Sequence, residues 1–128
     1  MKTEPRIAVI LLILLFLTGH FWPGLRPRTS YGIASWYGAE SGEVTASGEI
    51  FDPTAQTCAT WHYPIGMKLR VTNLLNGRSV ICRVNDHGPA WGLGRVVDLT
   101  EAAFGIISEN SRGLVPVRVE PARARIRA

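Results

Sequence analysis

Apolar and polar positions alternate most regularly in "MKLRVTNLLNGRSVICRVND", where two runs of period two flank Asn76-Gly77. Such alternation sends successive side chains to opposite faces of a strand, and Asn-Gly readily takes the positive backbone angles of a two-residue hairpin turn. The pattern predicts a β-hairpin with Leu69, Val71 and Asn73 on one face of the first arm. Val80, Cys82 and Val84 share a face of the second arm, which ends at Asn85-Asp86. Three more runs, "YGIASWYG", "GRVVDL" and "GLVPVRVE", predict strands. Pro116 in the last of them implies an edge or a bulge, because proline cannot donate to a ladder. Thr100 precedes "EAAFGIIS", a short helix that its hydroxyl can cap, with Glu101 in the first turn. "AESGEVTASGE" is rich in glycine, serine and acids and predicts a long surface loop.

Hydropathy departs from this pattern at the N-terminus. Lys2 and Arg6 precede eleven uninterrupted apolar residues, 7–17, the charged start and short apolar core of an export signal. Extended to residue 22 the segment is still shorter than the ~20 apolar residues of a bilayer-spanning helix. His20, Phe21 and Trp22 are bulky where a signal peptidase needs small side chains. Residues 1–22 therefore read as either a cleaved signal or a short membrane anchor. Residues 23–30, "PGLRPRTS", read as a linker, 31–121 as one folded domain, and 122–128 as a basic disordered tail.

Charge sharpens this division. The chain carries a formal net charge of +4, yet residues 31–121 hold seven basic and nine acidic side chains. The excess positive charge belongs to the two flanks. A slightly acidic domain without aromatics set among basic residues excludes nucleic acid as a partner. Cys58 and Cys82 form an even pair, and an exported compartment permits a disulfide between them. The pairs Cys58 with His62 and Cys82 with His87 also present zinc-type ligands, but structural zinc sites rest on tighter spacings. No metal and no cofactor is expected.

Five blocks in order, "GIASWYG", "TASGEIFDP", "PIGMKLRVTNLLNGRSV", "RVNDHGP" and "GRVVDLTEAAF", resemble the RlpA-like (rare lipoprotein A) family of the bacterial cell wall. The resemblance covers about residues 31–120. It implies a mainly β fold, a six-stranded double-psi β-barrel with one or two short helices. It also implies a lytic transglycosylase that cuts the glycan strands of peptidoglycan and leaves an anhydro-muramic end. The chain is then exported to the cell envelope, the periplasm, and acts as a monomer, with membrane association through residues 7–22. "LTGH" resembles a lipoprotein signal with His20 in the place of the lipid-accepting cysteine, so no lipid attaches there. A non-catalytic glycan-binding or expansin-like wall-loosening module is the competing expectation.

Asp86 matches the family's catalytic aspartate in its Asn-Asp-x-Gly-Pro setting. One carboxyl can protonate the leaving oxygen and then take the proton of the sugar hydroxyl that attacks internally, whereas water-using hydrolases need two. The first step needs the neutral acid, which desolvation by an apolar wall favours. Trp36, Tyr37, Trp61 and Trp91 are candidates for that wall and for stacking on sugar rings. Thr45, Ser47 and Asn85 are candidate substrate or supporting contacts. Asp98 is the rival acid, although its place before "LTEAAF" suits helix-start or structural bonding. The family's usual histidine falls on Thr60. His62 stands two positions later, on the same face if a strand continues through it, and His87 stands where relatives commonly carry arginine.

Overall fold

The hairpin forms. In a computed structural model that describes residues 29–38, 44–89 and 94–123, strand β3 (Lys68–Asn73) pairs antiparallel with β4 (Ser79–Asp86). Leu69, Val71, Asn73, Val80, Cys82 and Val84 are all buried, as their alternation predicts. The turn differs from the expected two-residue one. Residues 74–77 form the loop, closed by Asn73 N–H to Arg78 O and Gly77 N–H to Asn73 O, each 2.8 Å. Tertiary bonds explain the longer loop: the side-chain amides of Asn73 and Asn76 both donate to the Ile107 carbonyl, at 2.8 and 3.0 Å. Gly77, at φ 76°, supplies the positive backbone angle.

The other strands are β1 (Ser30–Tyr37), β2 (Thr57–Ala59), β5 (Arg95–Thr100) and β6 (Leu114–Pro121), and the order β1-β5-β2-β4-β3-β6 closes into a barrel. Two pairs are parallel, β1 with β5 and β2 with β4, so the chain crosses over between non-adjacent strands. Both parallel ladders slip by one residue: Ile33 and Ala34 face Arg95 and Val97, while Cys58 and Ala59 face Val84 and Asp86. Val96 and Asn85 are the extra residues. Closure leaves no free edge, so Pro116 marks neither an edge nor a slip in the β1–β6 ladder. Its carbonyl accepts from Leu74 N–H, just past the end of β3, where a missing donor costs no ladder bond.

Helix α1 (Glu101–Ile107) follows β5 directly. Thr100 caps it, its hydroxyl accepting from Ala103 N–H, and Ala103, Phe104 and Ile107 are buried against the barrel. Valines and leucines from β3 to β6 fill the interior. Gly32 marks the tightest backbone approach, since a Cβ there would stand 2.7 Å from the Gly94 carbonyl oxygen. The predicted signal or anchor, most of the linker, Trp91 and the end of the tail lie outside the described residues. Among those described, no helix is long and apolar enough to cross a membrane.

Cys58 and Cys82 are bonded, with their α-carbons 5.8 Å apart, and tie β2 to β4 inside the barrel. Both thiols are spent in the bridge, so neither Cys-His pair is assembled. The bridge spans a sequence separation of 24, and closing a loop of that size restricts the unfolded chain by about 3 kcal/mol. Denaturant unfolding with and without a reductant should show a loss of that order. An unchanged midpoint would mean that the two strands hold without the bridge.

Candidate active site

Asp86 is the last residue of β4, directly after the extra residue of the β2–β4 ladder. An inserted residue re-aims the side chains beside it. The main chain here is pinned from two sides: Thr60 N–H donates to Asp86 O at 3.1 Å and Ser47 N–H to Asn85 O at 3.0 Å. One carboxylate oxygen, Oδ1, accepts from the main-chain N–H groups of Ala46 and His87, both at 2.9 Å. Oδ2 accepts no hydrogen bond from the described residues. Asp86 is half-buried, so it presents one fixed oxygen and one open one.

The segment over Asp86 contains Thr45 and Ser47. Their hydroxyls lie 2.9 Å apart, Thr45 is buried and also bonds Glu49 O, and Ser47 reaches Glu49 Oε1. Glu49 in turn pairs with both terminal nitrogens of Arg83 on β4, one at 2.8 Å. The guanidinium holds the Glu49 carboxyl below its ordinary range, chiefly through this hydrogen bond. Thr45 and Ser47 thus shape the loop whose Ala46 N–H grips Asp86. Asn85 is buried, and its Oδ1 has no partner among the described residues.

A second acid lies deeper. Asp98 on β5 faces Ser35 on β1 and Ala59 on β2 in the ladders. Ser35 Oγ donates to Asp98 Oδ1, and Arg95 Nη1 bonds Ser35 Oγ at 3.2 Å and stands 3.9 Å from Asp98. Asp98 therefore has the structural bonding its sequence position allowed, while Thr100 starts the helix. Ser35 and Arg95 were missing from the sequence-based site, because only strand register brings them to the acid. Tyr37, one step along the same face of β1 as Ser35, has a buried hydroxyl without a partner among the described residues. Burial pushes its pKa up, and the negative charges of Asp86 and Asp98 push it the same way. Tyr37 therefore lies within electrostatic reach of both acids, its ring packed 4.8 Å from Phe51.

The histidine positions separate. Thr60 is fully buried and donates to Val96 O at 3.0 Å. Strand β2 ends at Ala59, so the same-face argument for His62 fails: the chain bends, and His62 is exposed with no hydrogen bond to Asp86. His87 is exposed and stacks on Trp61, with ring centroids 4.9 Å apart and planes 8° from parallel. Trp61 is 48% exposed, and its Nε1 donates to Pro89 O at 2.9 Å. Trp36 leaves this group, packing against the core and donating to Asn110 O.

Burial holds the Asp98 carboxyl above the ordinary carboxylate range, with the Ser35 hydrogen bond and Arg95 opposing. A carboxyl raised in the fold stabilises most while protonated, below its unfolded value of about 3.9. That contribution is lost as pH rises through the folded value. Asp98→Asn should therefore melt above the wild type at pH 7, with the gap closing below about pH 4. A variant less stable at pH 7 would mean that the contacts with Ser35 and Arg95 outweigh burial.

Known proteins are similar to this chain in sequence and fold. The lytic transglycolase family matches over residues 29–119. A probable endolytic peptidoglycan transglycosylase RlpA from Nostoc sp. is 47% identical over 92 residues, covering 70% of this chain and 24% of that protein. The chain thus spans about a quarter of the length of the curated relatives it matches. Among solved structures, the Streptomyces papain inhibitor aligns with a TM-score of 0.61 at 23% identity, over 75% of this chain and 96% of that one. A mutant Clavibacter michiganensis expansin in complex with cellohexaose aligns at 0.59 and 23%, over 75% of this chain and 51% of that one. The two structural likenesses carry the fold alone. With the closed six-stranded barrel and the family match over residues 29–119, the chain belongs to the RlpA-like lytic transglycolase family of double-psi β-barrels.

Proposed function

We propose that this domain is an endolytic lytic transglycosylase of peptidoglycan, with Asp86 as its single acid and base. The observation that carries the proposal is the Asp86 Oδ2, free of hydrogen bonds from the described residues and able to hold a proton, beside the exposed stack of Trp61 on His87. In the first half of the reaction the Asp86 proton passes to the glycosidic oxygen as the bond to the muramic C1 breaks. In the second, the sugar's own hydroxyl oxygen bonds to C1 and its proton returns to Asp86, leaving an anhydro end. No water is consumed. The stacked Trp61 and His87 beside the acid give a sugar ring a flat partner, while Thr45, Ser47 and Asn85 hold the acid's surroundings. Residues 1–22, as signal or anchor, bring the domain to the cell envelope as a monomer.

One feature favours a second reading, a barrel that grips glycan without cutting it. Thr60, in the family's histidine position, is sealed in the core and bonded to Val96 O, so it can move no proton. Incubating purified peptidoglycan with the wild type and Asp86→Asn, and measuring soluble anhydro-muropeptides, separates these readings. General acid and base catalysis contributes about 10²–10⁴-fold, so the variant should release at least a hundredfold less product. Equal release by both proteins would remove Asp86 from its role. No release by either, with both still sedimenting with the polymer, would establish the binding module.

A further inference from the structure

We propose that the outer face of β3 and β6 docks on an anionic phospholipid surface. A groove of about 500 Å³ runs along this face, and Arg70, Arg118 and Arg123 line it with Glu120 as their only acidic neighbour among the described residues of the lining. A second cleft, of about 340 Å³, lies beyond the hairpin loop and adds Arg78 and Arg112 against Glu109. The loop joins the two, with Gly77 lining the first and Asn76 and Arg78 the second. Five arginines thus meet two glutamates on a domain that is otherwise acidic. Arg118 keeps only a 3.7 Å ion pair with Glu120, and both side chains remain solvent-accessible.

Apolar side chains share this surface. Leu74 and Leu75 of the loop are 47% and 58% exposed, and Tyr31, directly opposite Arg118 across the β1–β6 ladder, is 66% exposed. Arginines with exposed leucines and a tyrosine are the composition that lies in the headgroup layer of a bilayer, where basic groups meet phosphates and apolar tips enter the acyl boundary. A soluble polyanion would make no use of the leucines. Chain connectivity points to the same place. Ser30, where β1 begins, pairs with Val119, and Pro121, where β6 ends, pairs with Leu69. The flanks entering and leaving there carry Arg26, Arg28, Arg125 and Arg127. Twelve residues separate the apolar run ending at Leu17 from Ser30, a length that spans at most about 40 Å.

An environment-sensitive dye on Leu75→Cys in the full chain tests this, with His62→Cys labelled as the comparison. The vesicles are phosphatidylcholine alone or with phosphatidylglycerol. The dye at 75 should shift to the blue only with phosphatidylglycerol, salt should reverse the shift, and the dye at 62 should not respond. An arginine near an anionic surface contributes about fivefold in affinity, so Arg70→Gln with Arg123→Gln should lower the docked-to-undocked ratio about 25-fold. A shift at 75 that is equal on both vesicle types, absent from both, or reproduced by soluble polyglutamate would overturn the proposal. So would a shift at 62 in place of 75.

Discussion

The geometry of Asp86 depends on main-chain hydrogen bonds that converge on the end of β4 from stretches far apart in the chain. The loop before β2 gives the Ala46 and Ser47 N–H groups, the end of β2 gives that of Thr60, and the turn after β4 gives that of His87. These groups cannot converge unless β2 lies parallel to β4 in the observed register. The Cys58–Cys82 bridge crosses that same pair of strands. The solvent-exposed pair of Glu49 and Arg83 reinforces the loop, but an exposed ion pair contributes little by itself. Precision at the acid therefore comes from backbone pairing, and barrel closure and site assembly are one event.

This dependence explains which parts of the protein could be read from its residues. The β3–β4 hairpin, β1, β5, β6 and the helix capped by Thr100 follow from neighbours in sequence, through alternation, turn chemistry and capping. Strand β2 does not: its three residues are all buried, so no alternation marks them, and its partners lie on two distant strands. The extra residue at Asn85 is equally invisible, because it exists only relative to Cys58 and Ala59. Asp86 is singled out by the family motif around it. Ser35 and Arg95 became neighbours of Asp98 only through the β1–β5 register. His62 was misplaced because two-residue spacing orients a side chain only while a strand continues, and this one stops at Ala59. The hairpin loop outgrew its Asn-Gly signal because Asn76 spends its amide on the helix carbonyl at Ile107.

The two aspartates near Tyr37 occupy contrasting surroundings, and the contrast bears on the chemistry. Asp98 is desolvated and bonded through Oδ1 to the Ser35 hydroxyl, with Arg95 close by, while Asp86 Oδ1 is held by two main-chain N–H groups; in each acid Oδ2 accepts no hydrogen bond from the described residues. A water-using glycosidase needs two available carboxyls flanking the scissile bond with room between them. Here the backbone of the turn also passes over the second acid: a side chain at Gly88 would stand 3.9 Å from Asp98 Oδ2. Asp98 joins β5 to β1 through Ser35, beneath the turn that carries Asp86 and His87.

A closed six-stranded ring with a filled interior has an outer surface that can be divided among tasks. Inward side chains of β3, β4 and β6 are packed valines, leucines and a half-cystine, so the outward arginines of the same strands can vary without disturbing the core. The β2 end and the loops that hold Asp86 do not line the arginine groove, although its own strand, β4, enters that lining at Ser79. Basic and acidic chemistry are therefore built from different residues of the surface, with both chain flanks attached beside the basic ones. The same closure that assembles the acid points the arginines of β3 and β6 outward, away from the packed interior, so neither set of residues depends on the contacts of the other.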